Sequence, residues 1–192
     1  MTIRALATLS LAAAAALFAA GAAAQEVCAP SALGNPAARL SDIYPKAEGY
    51  AKAWEQDAIP VRIENMAVGP LQPDGTSTAW RMQFYSKSAE QSVFVGVASG
   101  MLTCWAMPAP PGRIPDLKPG FFLDGAKLYA LAKQHGGDLL ARGFSVMLGT
   151  DAEAHTHRAF WYLTFAKDRT TDGGLVVVAD ANTGAFEKTL RR

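Results

Sequence analysis

The alternation of hydrophobic and polar residues predicts one helix followed by three strands in the first half of this chain. Apolar residues recur every three or four positions from Ala47 to Ala58, as on one face of an amphipathic helix. Apolar and polar residues then alternate over 61–64 and over 80–84, and an apolar run occupies 93–97. Alternation with a period of two is typical of a strand with one buried face.

The pattern predicts the same order of elements in the second half. Asp124 is a suitable N-cap for a helix with leucines at helical spacing, which ends at Gly136. Alternation follows over 144–148 and over 161–165, and a valine-rich run occupies 175–178. Because the connections between these strands are short and polar, we expect the strands to pair antiparallel.

A proline-rich segment, residues 107–120, separates the two halves. It contains five prolines, and proline fixes φ and lacks an N–H donor, so the segment cannot be a central strand or a helix interior. We therefore predict a semi-stiff linker between two similar α+β units, residues 41–106 and 121–192. Each unit is expected to be one helix packed on an antiparallel sheet of about three strands. The similarity indicates an internal tandem repeat, and chance resemblance among short elements is the alternative.

The first 24 residues have the features of a secretory signal peptide. A short start with one basic residue, Arg4, precedes an apolar, alanine-rich run that ends in small residues before Gln25. A transmembrane helix needs about 20 strongly apolar residues, and this run is shorter. We predict cleavage near Ala24, a periplasmic or secreted product without a membrane span, and an N-terminal arm over residues 25–40. A retained anchor and lipidation at Cys28 are the alternatives.

Charge narrows the range of partners. The full chain has 18 Lys and Arg residues against 17 Asp and Glu residues, and removal of Arg4 with the signal peptide balances the charge. A balanced charge gives no electrostatic reason to expect nucleic acid or an anionic membrane as a partner.

The two cysteines, Cys28 and Cys104, are expected to form a disulfide. An exported protein meets an oxidising compartment, in which thiols tend to pair. The long loop that this bond closes corresponds to about 4–5 kcal/mol in the chain-entropy model. A reactive thiol is the alternative, although neither cysteine has a histidine close by in the sequence.

The end of the chain carries a distinctive pattern. An aromatic strand at 158–165, a charged hairpin and a valine-rich strand lead into Asp-Ala-Asn-Thr-Gly at 180–184. Asp180 can accept hydrogen bonds from backbone N–H groups that follow it, and Gly184 can adopt a positive φ. We therefore interpret Asp180, Thr183 and Gly184 as a structural turn.

This pattern resembles the PepSY-like modules of exported bacterial proteins and of the propeptides of some secreted metalloproteases. The resemblance implies a helix packed on an antiparallel sheet, and a binding or inhibitory role instead of catalysis. The first half departs from the pattern, because its corresponding turn at 97–100 has a glycine but no aspartate.

His155 and His157 form the cluster best suited to a metal. On an extended segment, residues two apart face the same side, so both imidazoles, with Asp151 and Glu153, could bind zinc or copper. A solvated loop is the alternative. His135, at the end of the second helix, is better interpreted as a favourable charge at a helix C-terminus.

The sequence has no recognisable catalytic apparatus. It lacks the Gly-x-Ser-x-Gly nucleophile turn, the phosphate-binding loop and the dinucleotide-binding glycine pattern, and we expect no cofactor. Trp105, between Cys104 and the proline-rich segment, would pack on the disulfide or stand exposed as a protein-binding anchor.

These observations predict a non-catalytic periplasmic module that binds or inhibits another exported protein. A small metal-binding protein that uses His155 and His157 is the first alternative. An unrecognised hydrolase with a pocket between the two units is the second.

Overall fold

In the computed structural model, most of the chain forms one large antiparallel sheet. The structure describes residues 24–65, 69–150, 156–165 and 174–191. The strands are β1 (Gln25–Ala32), β2 (Ala38–Arg39), β3 (Ile59–Asn65), β4 (Thr76–Ser77), β5 (Ala79–Ser86), β6 (Gln91–Ala98), β7 (Met101–Met107), β8 (Ser145–Thr150), β9 (Ala159–Phe165), β10 (Leu175–Asp180) and β11 (Phe186–Arg191). The helices are α1 (Leu40–Trp54), α2 (Gly125–Gly136) and a 3-10 helix, Gly137–Arg142. Neither α-helix of the described chain is long and apolar enough to cross a membrane.

Nine strands share the main sheet in the order β1-β7-β6-β5-β3-β8-β9-β10-β11, and β2 pairs with β4 separately. At the centre, β3 and β8 pair antiparallel through Ile63 with Leu148 and Glu64 with Met147. Buried Asn65 strengthens this seam, because its Oδ1 accepts a hydrogen bond from the N–H of Val146 at 2.6 Å. The sheet is therefore continuous from one half of the chain to the other.

The predicted fold class, two units that each have one helix on a sheet of about three strands, is wrong. The pairing of β3 with β8 joins both halves into one sheet of nine strands, and separate tandem units find no support in this topology. The pattern also missed three strands of the sheet, β1, β7 and β11. The buried positions of β7 include Cys104 and Ala106, which give a weak apolar signal, and β1 and β11 are edge strands whose residues are mostly exposed.

Both helices pack on the same face of the sheet. α1 contacts β5 and β6, and α2 contacts β9 and β10. The core side chains beneath them are cross-strand neighbours, as with Met82, Ile63, Leu148 and Trp161, so they point to one side. α1 begins at Leu40, earlier than its predicted start, because apolar residues at 40, 43, 44 and 47 already face this core.

The proline-rich segment lies along one end of the sheet and is bonded to both halves. The carbonyl of Ala109 accepts a hydrogen bond from the Ser92 hydroxyl at 2.8 Å. Further along, the N–H of Asp116 donates to the carbonyl of His157 at 2.6 Å. These two bonds fix the segment to strands of both halves, although its prolines have no N–H group to donate.

Candidate functional site: the helix-free face of the sheet

The face of the sheet opposite α1 and α2 is not covered by either described helix, and we call it the helix-free face. A row of cross-strand neighbours crosses it from β7 to β11: Thr103, Gly96, Arg81, Glu64, Met147, Tyr162, Val178 and Lys188. The pleat of a strand sends alternate side chains to opposite faces, so these residues share one surface. The row mixes charged, aromatic and small residues, in contrast to the apolar core on the other side.

A charged group occupies the centre of the helix-free face. Glu64 lies between two arginines: Arg62 Nη2 is 2.7 Å from Glu64 Oε2, and Arg81 bonds the other carboxylate oxygen. The side chain of Glu64 is only 13% exposed, whereas those of Arg62 and Arg81 are 48% and 43% exposed. One carboxylate thus pairs with two guanidinium groups, which leaves a local charge of +1 and N–H donors that are not bonded to Glu64. Such an arrangement contributes little to stability at a surface, but it can bind an additional acceptor.

Two aromatic rings lie on the same face, on the strands β6 and β7. Phe94 is the cross-strand partner of Gln83, which in turn pairs with Arg62. Phe94 and Trp105 are partly exposed and stack with their ring centroids 5.9 Å apart and their planes 13° apart. Trp105 extends over Gly96, where a methyl group would come within 3.2 Å of two of its ring carbons. Glycine at this position therefore lets the indole lie close to the sheet.

The other side of the helix-free face is more closed. Phe160, Val176 and Val178 form a small buried cluster there, with Tyr162 and Leu190 packed against it. This cluster presents little of its apolar surface to a partner, so the exposed aromatic surface of this face is on the side of β6 and β7.

Trp105 is the sequence-predicted site residue that belongs to this surface. It neighbours Cys104 in the chain, but adjacent residues of a strand point to opposite faces, so Cys104 faces the core while Trp105 lies on the helix-free face. Phe94, Arg62 and Arg81 were not identified from the sequence. Arg62 and Arg81 occupy the polar positions of alternating segments and Phe94 lies in an apolar run, but the pairing register that places them on one face was not visible in the sequence.

The disulfide between Cys28 and Cys104 is present, with the two Cα atoms 5.5 Å apart. The two cysteines are cross-strand partners in β1 and β7. The bond therefore fastens the N-terminal strand to the edge of the sheet.

Asp180, Thr183 and Gly184 lie in the turn after β10. The carboxylate of Asp180 accepts hydrogen bonds from the N–H groups of Asn182 and Thr183, each at 3.0 Å, and from Arg158 at 3.2 Å. Burial opposes ionisation of this group, but the hydrogen bonds from Arg158 and Thr183 outweigh it and hold the pKa of Asp180 below its ordinary value. Gly184 has φ +73°. The turn also has a structural role. The Asn182 side chain donates a hydrogen bond to the carbonyl of Asp116 and accepts one from the N–H of Lys118, both in the proline-rich segment.

The structure does not bring the predicted metal ligands together within the residues it describes. His157 is exposed, and its Nδ1 lies 3.0 Å from the carbonyl oxygen of Ile114. His155, Asp151 and Glu153 lie outside the described residues. Among the residues described, no three His, Cys, Asp or Glu side chains are grouped as metal ligands, and a metal site stays a prediction. His135 stacks on Phe186 with the ring centroids 4.0 Å apart.

A groove of about 690 Å³ lies between the segment 70–72 and the segment 140–145. Its polar lining includes Tyr129, Arg142 and Ser145. The described residues that line it include no carboxylate, histidine or cysteine. The described lining of this groove therefore offers no acid–base pair of these types. A hydrolase site between the two halves stays a prediction.

Comparisons with known proteins inform the fold only. No protein-family model and no curated protein matches this sequence. The fold is similar to that in a crystal structure of a candidate lipoprotein of Clostridium difficile 630, with a TM-score of 0.50 and 11% sequence identity over 78% of this chain and 92% of that chain. The resemblance to PepSY-like modules is not addressed by these comparisons and stays a prediction.

Proposed function

We propose that this chain is an exported, non-catalytic protein that binds another protein through the helix-free face of its sheet. The observation that carries the proposal is the partly exposed Phe94–Trp105 pair on the same face as the half-exposed side chains of Arg62 and Arg81. Aromatic and arginine side chains dominate the energetic centres of protein interfaces. The signal-like N-terminus and the disulfide support export, and the resemblance to PepSY-like modules supports a binding or inhibitory role.

The charges of this surface indicate the chemistry of the partner. Arg62 and Arg81 share the single carboxylate of Glu64, so they can each donate to a further acceptor. A partner that places an Asp or Glu side chain there, next to apolar side chains that cover Trp105, would satisfy both parts of the surface. Bidentate pairing of arginine with a carboxylate adds geometric specificity to such a contact.

Photo-crosslinking in the periplasm tests this proposal. A photoreactive amino acid replaces Thr103 on the helix-free face. As the matched control, it replaces Lys52, an exposed residue of α1. We expect a discrete crosslinked partner from position 103 and none from position 52. The affinity for that partner should fall by about 10- to 100-fold in Trp105→Ala and in Arg81→Ala.

Thermal unfolding of each variant separates a lost contact from a lost fold. The proposal fails if the same partner is crosslinked equally from both positions, or if folded Trp105→Ala and Arg81→Ala bind it as tightly as the parent. It also fails if position 103 gives no discrete product under any growth condition in which the protein is made.

A further inference from the structure

A groove between α1 and the proline-rich segment plays no part in the proposed protein interface. Its volume is about 470 Å³, within the range of about 300–1,000 Å³ that is usual for small-molecule sites. It opens beside the start of β3, on the side of the sheet that carries the helices. Its lining comes from three separate parts of the chain, α1, β3 and residues 115–123.

The groove has an apolar floor and an exposed apolar wall. Phe121 and Tyr44 are buried and meet edge to face with their ring centroids 5.1 Å apart. Ile59 is 39% exposed, and Leu117, which is half-buried, lines the same groove. Covering this wall with an apolar group would remove hydrocarbon surface from water and is therefore favourable.

Two opposite charges line the same groove without pairing. Glu48 accepts a hydrogen bond from the Tyr44 phenol at 3.4 Å. Burial, together with the negative charge of Glu48, raises the pKa of Tyr44 above its ordinary value. Within the described chain, Glu48 and Lys118 do not pair with each other, and neither forms an ion pair with another residue.

The unpaired charges restrict what can fill the groove. Glu48 is half-buried, so a ligand that covers the apolar wall removes water from its carboxylate, which is costly unless the ligand supplies a cation there. Lys118 is exposed and keeps its hydration, but an anionic group of the ligand would complement its charge. The ligand that matches the groove therefore has a cation for Glu48, an anion for Lys118 and an apolar body.

We infer that this groove binds a short apolar peptide with free ends. The peptide ammonium group pairs with Glu48, its terminal carboxylate pairs with Lys118, and its side chains cover Ile59, Leu117 and Phe121. A dipeptide or tripeptide separates its two charges by its own backbone, which suits charges that line a groove and do not meet each other. This site is independent of the helix-free face and does not rest on the proposed protein interface.

Isothermal titration calorimetry with the dipeptide Leu-Leu tests the site directly. We expect saturable binding of Leu-Leu. Its N-acetylated form and its C-terminal amide should each bind about 10-fold more weakly than Leu-Leu, because each has lost one charged contact. Free leucine should bind more weakly than the dipeptide. Leucine that binds as tightly as Leu-Leu would assign the groove to a single amino acid and overturn the inference.

Two variants identify the contacts by a loss of discrimination. Glu48→Gln should bind free and N-acetylated Leu-Leu equally, and Lys118→Met should bind free and amidated Leu-Leu equally. Lys87→Met, a lysine in the turn after β5, is the matched control and should keep both preferences. Absence of binding by the parent, or preferences that survive in both groove variants, would overturn the inference.

Discussion

At the scale of single residues, Asp57 shows how one carboxylate connects distant parts of the chain. It follows α1, and it accepts hydrogen bonds from the Ser86 hydroxyl at 2.6 Å and from the Ser88 N–H at 2.9 Å. These bonds, led by that from Ser86, lower the pKa of Asp57 from 3.8 to about 2. The residue thus ties the connection before β3 to the turn after β5.

The low pKa predicts how stability depends on pH. Because the pKa is lower in the folded state, ionised Asp57 stabilises the fold above about pH 4, and this contribution is lost as the pH falls toward 2. Asp57→Asn removes that contribution, so its free energy of unfolding should fall less than that of the parent between about pH 4 and pH 2. Urea unfolding at several pH values measures the difference.

Asp138→Asn serves as the control, since Asp138 is an exposed carboxylate in the 3-10 helix. It should retain the pH dependence of the parent. Identical acid dependence in the parent and Asp57→Asn would contradict the assignment.

Residue-scale features were predictable where the signal is local. The Asp180 turn was found because its polar and glycine residues are adjacent in the sequence. The two cysteines were paired because no other cysteine exists. Arg62 and Arg81 share the carboxylate of Glu64 across two strands, and no local spacing shows that they meet.

At the scale of elements, β9 and the turn after β10 hold the chain between the proline-rich segment and α2. The carbonyl of Phe122 accepts from the Trp161 indole at 2.9 Å, and its N–H donates to the carbonyl of Ala181 at 2.8 Å. A methyl group at Gly184 would lie only 2.5 Å from the Phe122 ring. The absence of a side chain at Gly184 therefore allows the two segments to pack closely.

A pair of glycine substitutions separates this packing from backbone strain. Gly184 and Gly120 have the same φ of +73°, but nothing lies within 4 Å of a methyl group at Gly120. Gly120→Ala should cost about 1–2 kcal/mol through strain alone, and Gly184→Ala should cost about 1–3 kcal/mol more because of overpacking. Urea midpoints at equal m-values measure both, and equal losses would show that contact with Phe122 does not matter.

The elements that the pattern predicted are those with one strongly apolar face. β5 and β9 bury tryptophan and phenylalanine toward the helices, so their alternation is clear in the sequence. β11 buries none of its residues completely, and its place in the sheet depends on main-chain pairing with β10. Any residue except proline can pair fully through its main chain, so such pairing does not alter the order of apolar and polar residues in the sequence.

At the scale of the whole molecule, the pairing of β3 with β8 determines how the two halves depend on each other. The sequence does not indicate this contact, because an apolar–polar alternation is the same at the edge of a small sheet and at the centre of a large one. Asn65 lies at the contact between β3 and β8. It is buried, its Oδ1 accepts from Val146, and its Nδ2 donates to the carbonyl of Gly69 at 2.9 Å.

The continuous sheet predicts one cooperative unfolding transition. Asn65→Ala should lower the free energy of unfolding by about 1–3 kcal/mol, because it leaves the buried N–H of Val146 without its acceptor. Hydrogen exchange measured in β5 and β9 should accelerate together in this variant. Asn35→Ala, at an exposed asparagine, should change neither. Separate transitions for the two halves, or acceleration on one side only, would contradict a shared sheet.

The strand order also places the beginning and the end of the described chain at opposite borders of the sheet. β1 and β11 are the outermost strands, and eight interstrand spacings of about 4.8 Å separate them by roughly 38 Å before twist is considered. Circular permutation, which is straightforward where termini adjoin, would here require a connector of about 11 extended residues across a face of the sheet. For the same reason, fluorescent labels on the two border strands would report by energy transfer whether the full width of the molecule is intact.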